Sequence, residues 1–255
     1  MRVTEVFMFT LEHFIWIGIC IVFIASLSYI SIKNKFSFHK AAFIMAFIAL
    51  VSEISKIMSD MSFVNGVDAS EGMVIKPGSL PFHLCSILIF AYFYLPFAKN
   101  QKLKTYILGL VVPIGLIGAT MAIIMATSGT DFKEIDSYQC FIYHAGMIWF
   151  SIYLIASKEV DLGVKVWLKN ILSLLGMAFV MIWVNGMLQE YSTNFWFVVR
   201  PPRDNLPLLN LNNGWYVYFL TVLSLGFIGI TLVHLPFILK ERRSIKNSRL
   251  ETDVK

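Results

Sequence analysis

Seven stretches of the sequence are apolar over nearly the whole length that is needed to cross a lipid bilayer. A transmembrane helix needs about 20 mainly apolar residues, because the hydrocarbon core is about 30 Å thick. We predict spans at Phe14–Ile32, Ala41–Met58, Leu80–Phe97, Thr105–Ala126, Phe141–Ala156, Trp167–Gln189 and Trp215–Leu239. The predicted fold is an all-α membrane protein, a bundle of seven transmembrane helices with six as the alternative.

The charge distribution supports a membrane protein and argues against a nucleic-acid-binding one. Charged residues make up 15% of the chain, whereas soluble domains carry about 25%. The net charge of +5 is spread over short basic clusters between the apolar stretches, as in membrane topology signals. We therefore predict one transmembrane domain, residues 1–240, followed by a basic cytoplasmic tail, residues 241–255.

The basic residues also predict which way the chain faces. Fifteen Lys and Arg residues fall in one set of alternate segments between the spans, and five fall in the other set. The fifteen lie in Lys33–Lys40, Lys99–Lys104, Lys158–Lys169 and Lys240–Lys255. Segments rich in Lys and Arg stay in the cytoplasm. We therefore predict an outer N-terminus and an inner C-terminus, as an odd number of spans requires.

With this orientation, unusual polar residues collect at the predicted outer ends of the helices. An ionisable group in a span costs about 2.5–3.5 kcal/mol on insertion scales, so such groups usually face the bundle interior and pair. The members that we consider candidates for a functional site are His13, Glu53, Lys56, His83, Cys85, His144, Asn185, Asn194, Arg200 and Arg203. Together they predict a polar pocket that opens to the outer leaflet.

Simpler interpretations exist for single members of this set. Glu53 and Lys56 are three residues apart on one helix, so they can neutralise each other as a local ion pair. A membrane cysteine is often a small apolar filler. If Leu80–Phe97 is one regular helix, residues two apart are rotated by about 200°. His83 would then not face Cys85, and His144 or His13 would be the better base for it.

Four motifs, "FTLEHF", "LPFHLCSI", "FIYHAG" and "TNFWFVVRPP", occur in order with apolar helices between them. Together they resemble the YwaF-like family of bacterial integral membrane proteins, from about His13 to Tyr218. The loop motif departs from the family pattern, which usually has Asn-Tyr-Met and Lys-Pro where this chain has Asn194-Phe195-Trp196 and Arg200-Pro201.

The YwaF-like family is remotely similar to the eukaryotic transmembrane-protein-164 acyltransferases. These are thought to move fatty acyl chains between phospholipids through a membrane cysteine. The resemblance therefore implies that Cys85 is the matching nucleophile position.

The first functional hypothesis is a phospholipid acyltransferase or lipid hydrolase in the plasma membrane, with membrane lipids as partners. Cys85 would attack an ester carbonyl, with His144 as its base and His83 as a further catalytic candidate. His13 or Glu53 would orient the base. Lys56, Arg200 or Arg203 would hold the lipid phosphate, and Asn185 and Asn194 complete the residues predicted to bind substrate.

Two other classes stay open at this point. A transporter, a receptor or a binding protein for envelope assembly could use the same pocket for a charged ligand, with envelope proteins as partners. A zinc or haem site could use His13, His83 and His144, because three histidines leave zinc an open position. These histidines are scattered singly, so we predict no cofactor and no metal.

Overall fold

The computed structural model describes residues 9–62, 77–126, 128–202, 206 and 208–253. The regular elements in those ranges are helices, which confirms the all-α fold. The helices are α1 Leu11–Lys33, α2 Phe38–Ser62, α3 Leu84–Tyr94, α4 Gln101–Pro113, α5 Ala119–Met125, α6 Ile135–Ala156, α7 Val164–Met187 and α8 Trp215–Asp253.

These eight helices form six to seven membrane spans. A π-helical turn, Ile114–Gly118, joins α4 to α5, so that Gln101–Met125 is one continuous span. In the described ranges six helices are long and apolar enough to cross a membrane, and the shorter Leu84–Phe97 is a further apolar helix. The chain is therefore a multi-pass membrane protein. Helix α8 continues to Asp253, through most of the stretch predicted to form the tail.

Helix α6 is the centre of the bundle. It packs against α1, α2, α4 and α5, and 67% of its most apolar window is buried. Its mean hydropathy of 1.3 is also the lowest of the six long spans. A helix surrounded by protein can carry polar side chains that a lipid-facing helix cannot. The same polarity explains why the sequence predicted a start at Phe141, whereas α6 begins at Ile135.

Helix α3 begins later than the sequence predicted. The span was expected from Leu80, but the helix starts at Leu84, with His83 as an extended N-cap residue. Proline disfavours the helical conformation of the residue before it, and Pro81 follows Leu80. The backbone turns there instead, with hydrogen bonds from Leu80 N to Pro77 O and from Phe82 N to Leu80 O. Cys85 therefore lies in the first turn of α3.

The packing divides the described bundle into a core and a periphery. One hydrophobic cluster joins α2, α3, α4 and α6, and a second joins α1, α5 and α6. A third cluster joins α7, α8 and the loop between them to the segment that leads into α3. Only 17% of the apolar window of α7 and 11% of that of α8 are buried. These two helices therefore expose most of their apolar surface, as lipid contact requires.

Candidate functional site

The structure brings Cys85 and His144 together. Cys85 lies in the first turn of α3, where it is half-buried, and His144 is buried in the middle of α6. The imidazole of His144 interacts with the Cys85 thiol. The two residues are 59 positions apart in the sequence. They come close because α3 and α6 pack into the same hydrophobic cluster.

The second nitrogen of the His144 ring is held by its own helix. Nδ1 lies 2.6 Å from the backbone oxygen of Cys140, one turn earlier in α6. A carbonyl only accepts, so Nδ1 carries the hydrogen and donates it to Cys140 O. This leaves Nε2 as the basic nitrogen. The Cys140 thiol lies 3.6 Å from the same Nδ1, so His144 is in contact with two cysteines.

A tyrosine fixes α3 against α6 at the level of this pair. The hydroxyl of Tyr143 donates a 2.8 Å hydrogen bond to the backbone oxygen of Cys85. Because Tyr143 precedes His144 in α6, this bond connects the helix of the base directly to the helix of the thiol. Tyr92 lies two turns after Cys85 and packs its ring against Tyr143. Its buried hydroxyl has no hydrogen-bond partner in the described structure.

The first turn of α3 supplies free backbone donors beside Cys85. The N-cap residue His83 makes no side-chain capping bond. The first helical hydrogen bond runs from Ile87 N to His83 O. Within the described ranges nothing accepts from the N–H groups of residues 84–86. A helix N-terminus with unpaired N–H groups is a favourable place for negative charge, such as a thiolate or an oxyanion.

Glu53 and Lys56 border the site from α2. They form an ion pair with a 2.8 Å separation between Lys56 Nζ and Glu53 Oε1, and both side chains remain about one-fifth exposed. Glu53 interacts electrostatically with Tyr143, and Lys56 interacts with His83. The pair therefore connects the Cys85–His144 site to the predicted outer surface.

His83 points away from Cys85 toward the loop that follows α7. Its ring packs against Phe195, with ring centroids 5.0 Å apart. Burial lowers the pKa of His83 from its ordinary value of 6.5, the nearby Lys56 ammonium lowers it further, and a hydrogen bond with the Gly78 backbone opposes both effects. His83 is thus favoured as a neutral ring that supports the loop.

The loop after α7 uses the predicted polar residues to hold its own shape. Asn185 accepts from Phe195 N at 2.8 Å and donates to Phe195 O at 3.1 Å. Asn194 accepts from Arg200 N at 3.2 Å and donates to Arg200 O at 2.8 Å. The Arg200 guanidinium donates to Ser192 O. These contacts place Phe195 against the segment before α3. Arg203 lies outside the described residues.

His13 is fully buried and both of its ring nitrogens have partners. Nδ1 accepts from Phe9 N at 3.0 Å, and Nε2 donates to Ile123 O at 2.9 Å. His13 therefore joins α1 to the end of α5. Among the described residues, no group of three or more His, Cys, Asp or Glu side chains is arranged to hold a metal. The three histidines considered for zinc or haem have different neighbours: His13 bonds to Phe9 and Ile123, His83 packs against Phe195, and His144 bonds to Cys140.

Sequence reasoning missed two features of the site. The first is the start of α3 directly before Cys85, for which Pro81 was the available signal. The second is Tyr143, which lies beside His144 in the motif "FIYHAG" but bonds to a backbone atom of another helix. No sequence pattern indicates such a partner, because every residue carries a backbone oxygen.

One family model, described as the TMEM164 family, matches residues 8–234 of the chain. The match includes Cys85 and His144 and ends before the basic C-terminal segment. No curated protein and no solved structure matches the chain significantly.

Proposed function

Because the chain belongs to the TMEM164 family, we propose that it is a membrane acyltransferase that uses Cys85 as its nucleophile and a phospholipid as its acyl donor. The observation that carries this proposal is the contact between the Cys85 thiol and the His144 imidazole at the N-terminus of α3. A thiol beside a histidine and a helix N-terminus is the arrangement that activates catalytic cysteines.

The proposed reaction has two steps. The Cys85 sulfur attacks the carbonyl carbon of a lipid ester while its proton passes to Nε2 of His144. The C–O bond breaks, the proton moves to the departing alcohol oxygen of the lysophospholipid, and an acyl thioester remains on Cys85. In the second step an acceptor hydroxyl, deprotonated by His144, attacks the thioester and regenerates the thiol. With water as the acceptor, the same site would act as a hydrolase.

The surrounding residues support this chemistry. The unpaired N–H groups of residues 84–86 are the donors that we propose for an oxyanion on the acyl carbon. The hydrogen bond from His144 Nδ1 to Cys140 O keeps the ring oriented during proton transfer. Lys56 lies at the border of the site and is the proposed contact for the lipid phosphate, with Glu53 beside it.

We propose that the protein lies in a bacterial plasma membrane and that its site faces the outer leaflet. The motifs that resemble the YwaF-like family support a bacterial membrane protein. The basic segments support an orientation that puts the first turn of α3 at the outer surface. Acyl-CoA and ATP are cytoplasmic, so a phospholipid is the acyl donor that such a site would meet.

The decisive experiment is to look for the thioester. The purified full-length protein is incubated in vesicles of phosphatidylcholine with deuterated acyl chains, together with a lysophospholipid acceptor. We expect a hydroxylamine-sensitive acyl group on Cys85 by peptide mass spectrometry and labelled diacyl product from the acceptor. Cys85→Ser should lose both signals. Cys20→Ser is the matched control, because Cys20 is a second thiol, buried in α1, whose sulfur donates to Phe141 O.

A lipid analysis in cells tests the same proposal independently. Cells that lack the protein are complemented with the wild type or with Cys85→Ser. Altered acyl composition that only the wild type restores is the expected result. Full activity of Cys85→Ser in either assay rules out nucleophilic catalysis by Cys85.

The partly exposed Glu53–Lys56 ion pair also favours a second function, the binding of a charged ligand without turnover. A receptor or a binding protein for envelope assembly needs only this outer pocket. The inner polar residues Asn170 and His234 are hydrogen-bonded to each other and to backbone oxygens of α4 and of the loop before α7. Ligand-induced thermal stabilisation with no thioester and no lipid product is the result expected of a binding protein.

A further inference from the structure

Two consecutive aromatic residues in the loop between α7 and α8 have left-handed backbone conformations. The φ angle is 61° at Trp196 and 54° at Phe197. The other left-handed residues that are not glycine occur singly in the described part of the chain. A bulky residue in this region is strained, and such strain persists only where the surrounding contacts enforce it. The contacts of this pair therefore show what the conformation achieves.

The start of α8 holds the loop in this shape. The hydroxyl of Tyr218 donates to Phe197 O, and the indole N–H of Trp215 donates to Val198 O at 3.0 Å. Tyr218 and Val198 are both buried. The backbone directly after Trp196 is thus attached to α8, and the strained pair cannot relax without breaking these two hydrogen bonds.

In this conformation the Trp196 indole reaches the segment that leads into α3. Its N–H donates a 2.8 Å hydrogen bond to Phe82 O. The backbone N–H of Phe82 donates in turn to Leu80 O. Phe82 is therefore held at both its N–H and its carbonyl, and it directly precedes His83, the N-cap residue of α3. The indole thus fixes the peptide from which the first turn of α3 begins.

The first turn of α3 has a second anchor, at Cys85 itself. Tyr143 of α6 donates to Cys85 O at 2.8 Å, so the residue that carries the thiol is attached to the helix that carries its base. The direction of the N–H groups of residues 84–86 depends in addition on the preceding peptide, which Trp196 holds. The two anchors therefore act on different parts of the candidate site.

We propose that Trp196 is a positioning residue, which aligns the N–H groups of residues 84–86 with the carbonyl oxygen of the acyl group that Cys85 attacks. This inference rests on the proposed function and adds to its site a residue from the loop between α7 and α8. Trp196 acts through Phe82 O. Without the indole N–H, the Phe82 peptide can turn and the donors lose their alignment with the oxyanion. Acyl transfer then slows, while the Cys85 thiol keeps its reactivity.

The test compares two reactions of the Cys85 thiol, of which only the first forms an oxyanion. Full-length protein in detergent is treated with p-nitrophenyl butyrate: the sulfur bonds to the acyl carbon, p-nitrophenolate leaves, and the thiol proton passes to His144. A second sample is treated with iodoacetamide: the sulfur bonds to the methylene carbon, iodide leaves, and the thiol proton again passes to His144. Peptide mass spectrometry measures both rates at Cys85, and the ratio of acylation to alkylation is the quantity compared.

Trp196→Phe keeps an aromatic ring and removes the N–H donor. We expect it to lower the ratio about tenfold or more, since a misplacement of about 1 Å can slow a positioned reaction about 100-fold. Its alkylation rate should stay at the wild-type value. Trp167→Phe is the matched control, because Trp167 is also half-buried and its indole N–H donates to Thr231 Oγ1 at 3.0 Å. Trp167 lies in the first turn of α7, at the opposite end of that helix from the loop, so its loss should leave the ratio unchanged.

The remaining outcomes overturn the inference in different ways. An unchanged ratio in Trp196→Phe shows that the indole N–H does not align the donors, and if both rates fall equally, Trp196 supports the fold alone. An equal fall of the ratio in Trp167→Phe shows a general effect of losing an indole. If thermal unfolding shows that Trp196→Phe does not fold, Trp196→Gly, which adopts the left-handed conformation without strain, decides by the same ratio. If the wild type is alkylated at Cys85 but not acylated there, the proposed function fails and the inference fails with it.

Discussion

At the scale of single residues, the tyrosine hydroxyls on either side of the site have different roles. Tyr143 donates to Cys85 O at 2.8 Å, whereas the neighbouring Tyr92 hydroxyl is buried without a partner in the described structure. Tyr143→Phe should lower the free energy of unfolding by about 1 kcal/mol, the net value of one hydrogen bond. It should also slow acylation of Cys85, because the bond sets the spacing between α3 and α6. Thermal unfolding and acylation of Cys85 followed by mass spectrometry measure the two effects.

Tyr92→Phe is the matched control for this change, since it removes the same hydroxyl from the same cluster. It should leave stability unchanged or raise it, because a buried hydroxyl without a partner is destabilising by about 1–3 kcal/mol. A loss of stability in Tyr92→Phe as large as that in Tyr143→Phe would contradict the assigned roles.

His83 should make stability depend on pH. Burial and the Lys56 ammonium lower the pKa of His83 in the folded protein below the ordinary value of 6.5. Below pH 6.5 the unfolded chain therefore binds more protons than the folded protein, and the free energy of unfolding falls as pH falls. The decline is measured by following unfolding in detergent from about pH 7.5 to about pH 5, the range in which histidine titrates. In His83→Gln the decline should be smaller, and an equal decline in both proteins would rule out His83 as its source.

At the residue level, the prediction that depended on a regular helix from Leu80 was wrong, whereas the roles of the site residues stay predictions. His144 or His13 was predicted to be the base for Cys85, and in the structure His144 interacts with Cys85 whereas His13 bonds to Phe9 and Ile123. The regular helix from Leu80 that was used to place His83 relative to Cys85 does not form, because α3 starts only at Leu84. The depth of a residue in the membrane follows from the hydropathy of its segment, whereas the first residue of a helix depends on the local backbone conformation.

At the scale of elements, the span that contains the π-turn depends on one glycine for its packing against α6. A Cβ at Gly115 would overlap Ser151 Oγ and lie 3.0 Å from Met147 O. Gly115→Ala should therefore lower the free energy of unfolding by about 1–3 kcal/mol, the usual effect of overpacking. Gly118→Ala, three residues later in the same span, meets only ordinary contacts and should be neutral or stabilising. Thermal unfolding of both variants in one detergent measures the difference, and equal stability would show that α6 can move away.

The loop between α7 and α8 depends on Asn185. Its amide accepts from Phe195 N and donates to Phe195 O, and Phe195 in turn packs against His83. Asn185→Ala leaves two buried backbone groups without partners, so we expect a loss of about 1–3 kcal/mol for each unsatisfied group. Limited proteolysis should cut the loop faster in this variant than in the wild type. Gln189→Ala, at an exposed position in the next turn, is the control and should be cut at the wild-type rate.

The elements themselves were predictable because the bilayer leaves few alternatives. Each predicted span corresponds to a helix of the structure, and the ends that moved are those with proline or polar residues. The mainly polar residues Ile135–Gln139 were left outside the predicted span, which began at Phe141, but they form the first turn of α6. The negative charge of Asp136 stabilises the N-terminus of that helix. Apolar length predicts what lies in lipid, whereas helix ends depend on capping and on protein contacts.

At the scale of the whole molecule, hydropathy predicted the spans but could not predict their arrangement. The least hydrophobic of the long spans, α6, is the most buried, because its polar side chains bond to other helices. The partners of these bonds include a backbone oxygen of α3, Cys85 O for Tyr143, and a hydroxyl of α1, Ser31 Oγ for Trp149. Helix arrangement therefore depends on contacts between distant residues that no single stretch of sequence contains.

The orientation of the whole molecule in the membrane decides which acyl donors can reach Cys85. The distribution of Lys and Arg predicts that Lys133 lies outside and Lys99 inside, and both side chains are exposed. In a chain whose three cysteines are replaced by serine, single cysteines at these positions report the orientation directly. A membrane-impermeant maleimide should label Lys133→Cys in intact cells and Lys99→Cys only after permeabilisation.

The reverse labelling pattern would put the first turn of α3 at the cytoplasmic surface. The Cys85–His144 contact would remain, because it is a property of the fold, but the argument for a phospholipid donor would be lost. Acyl-CoA, which is soluble in the cytoplasm, would then become the donor to test first. The labelling experiment is therefore informative even before any activity is known, since it selects the substrates for the thioester assay.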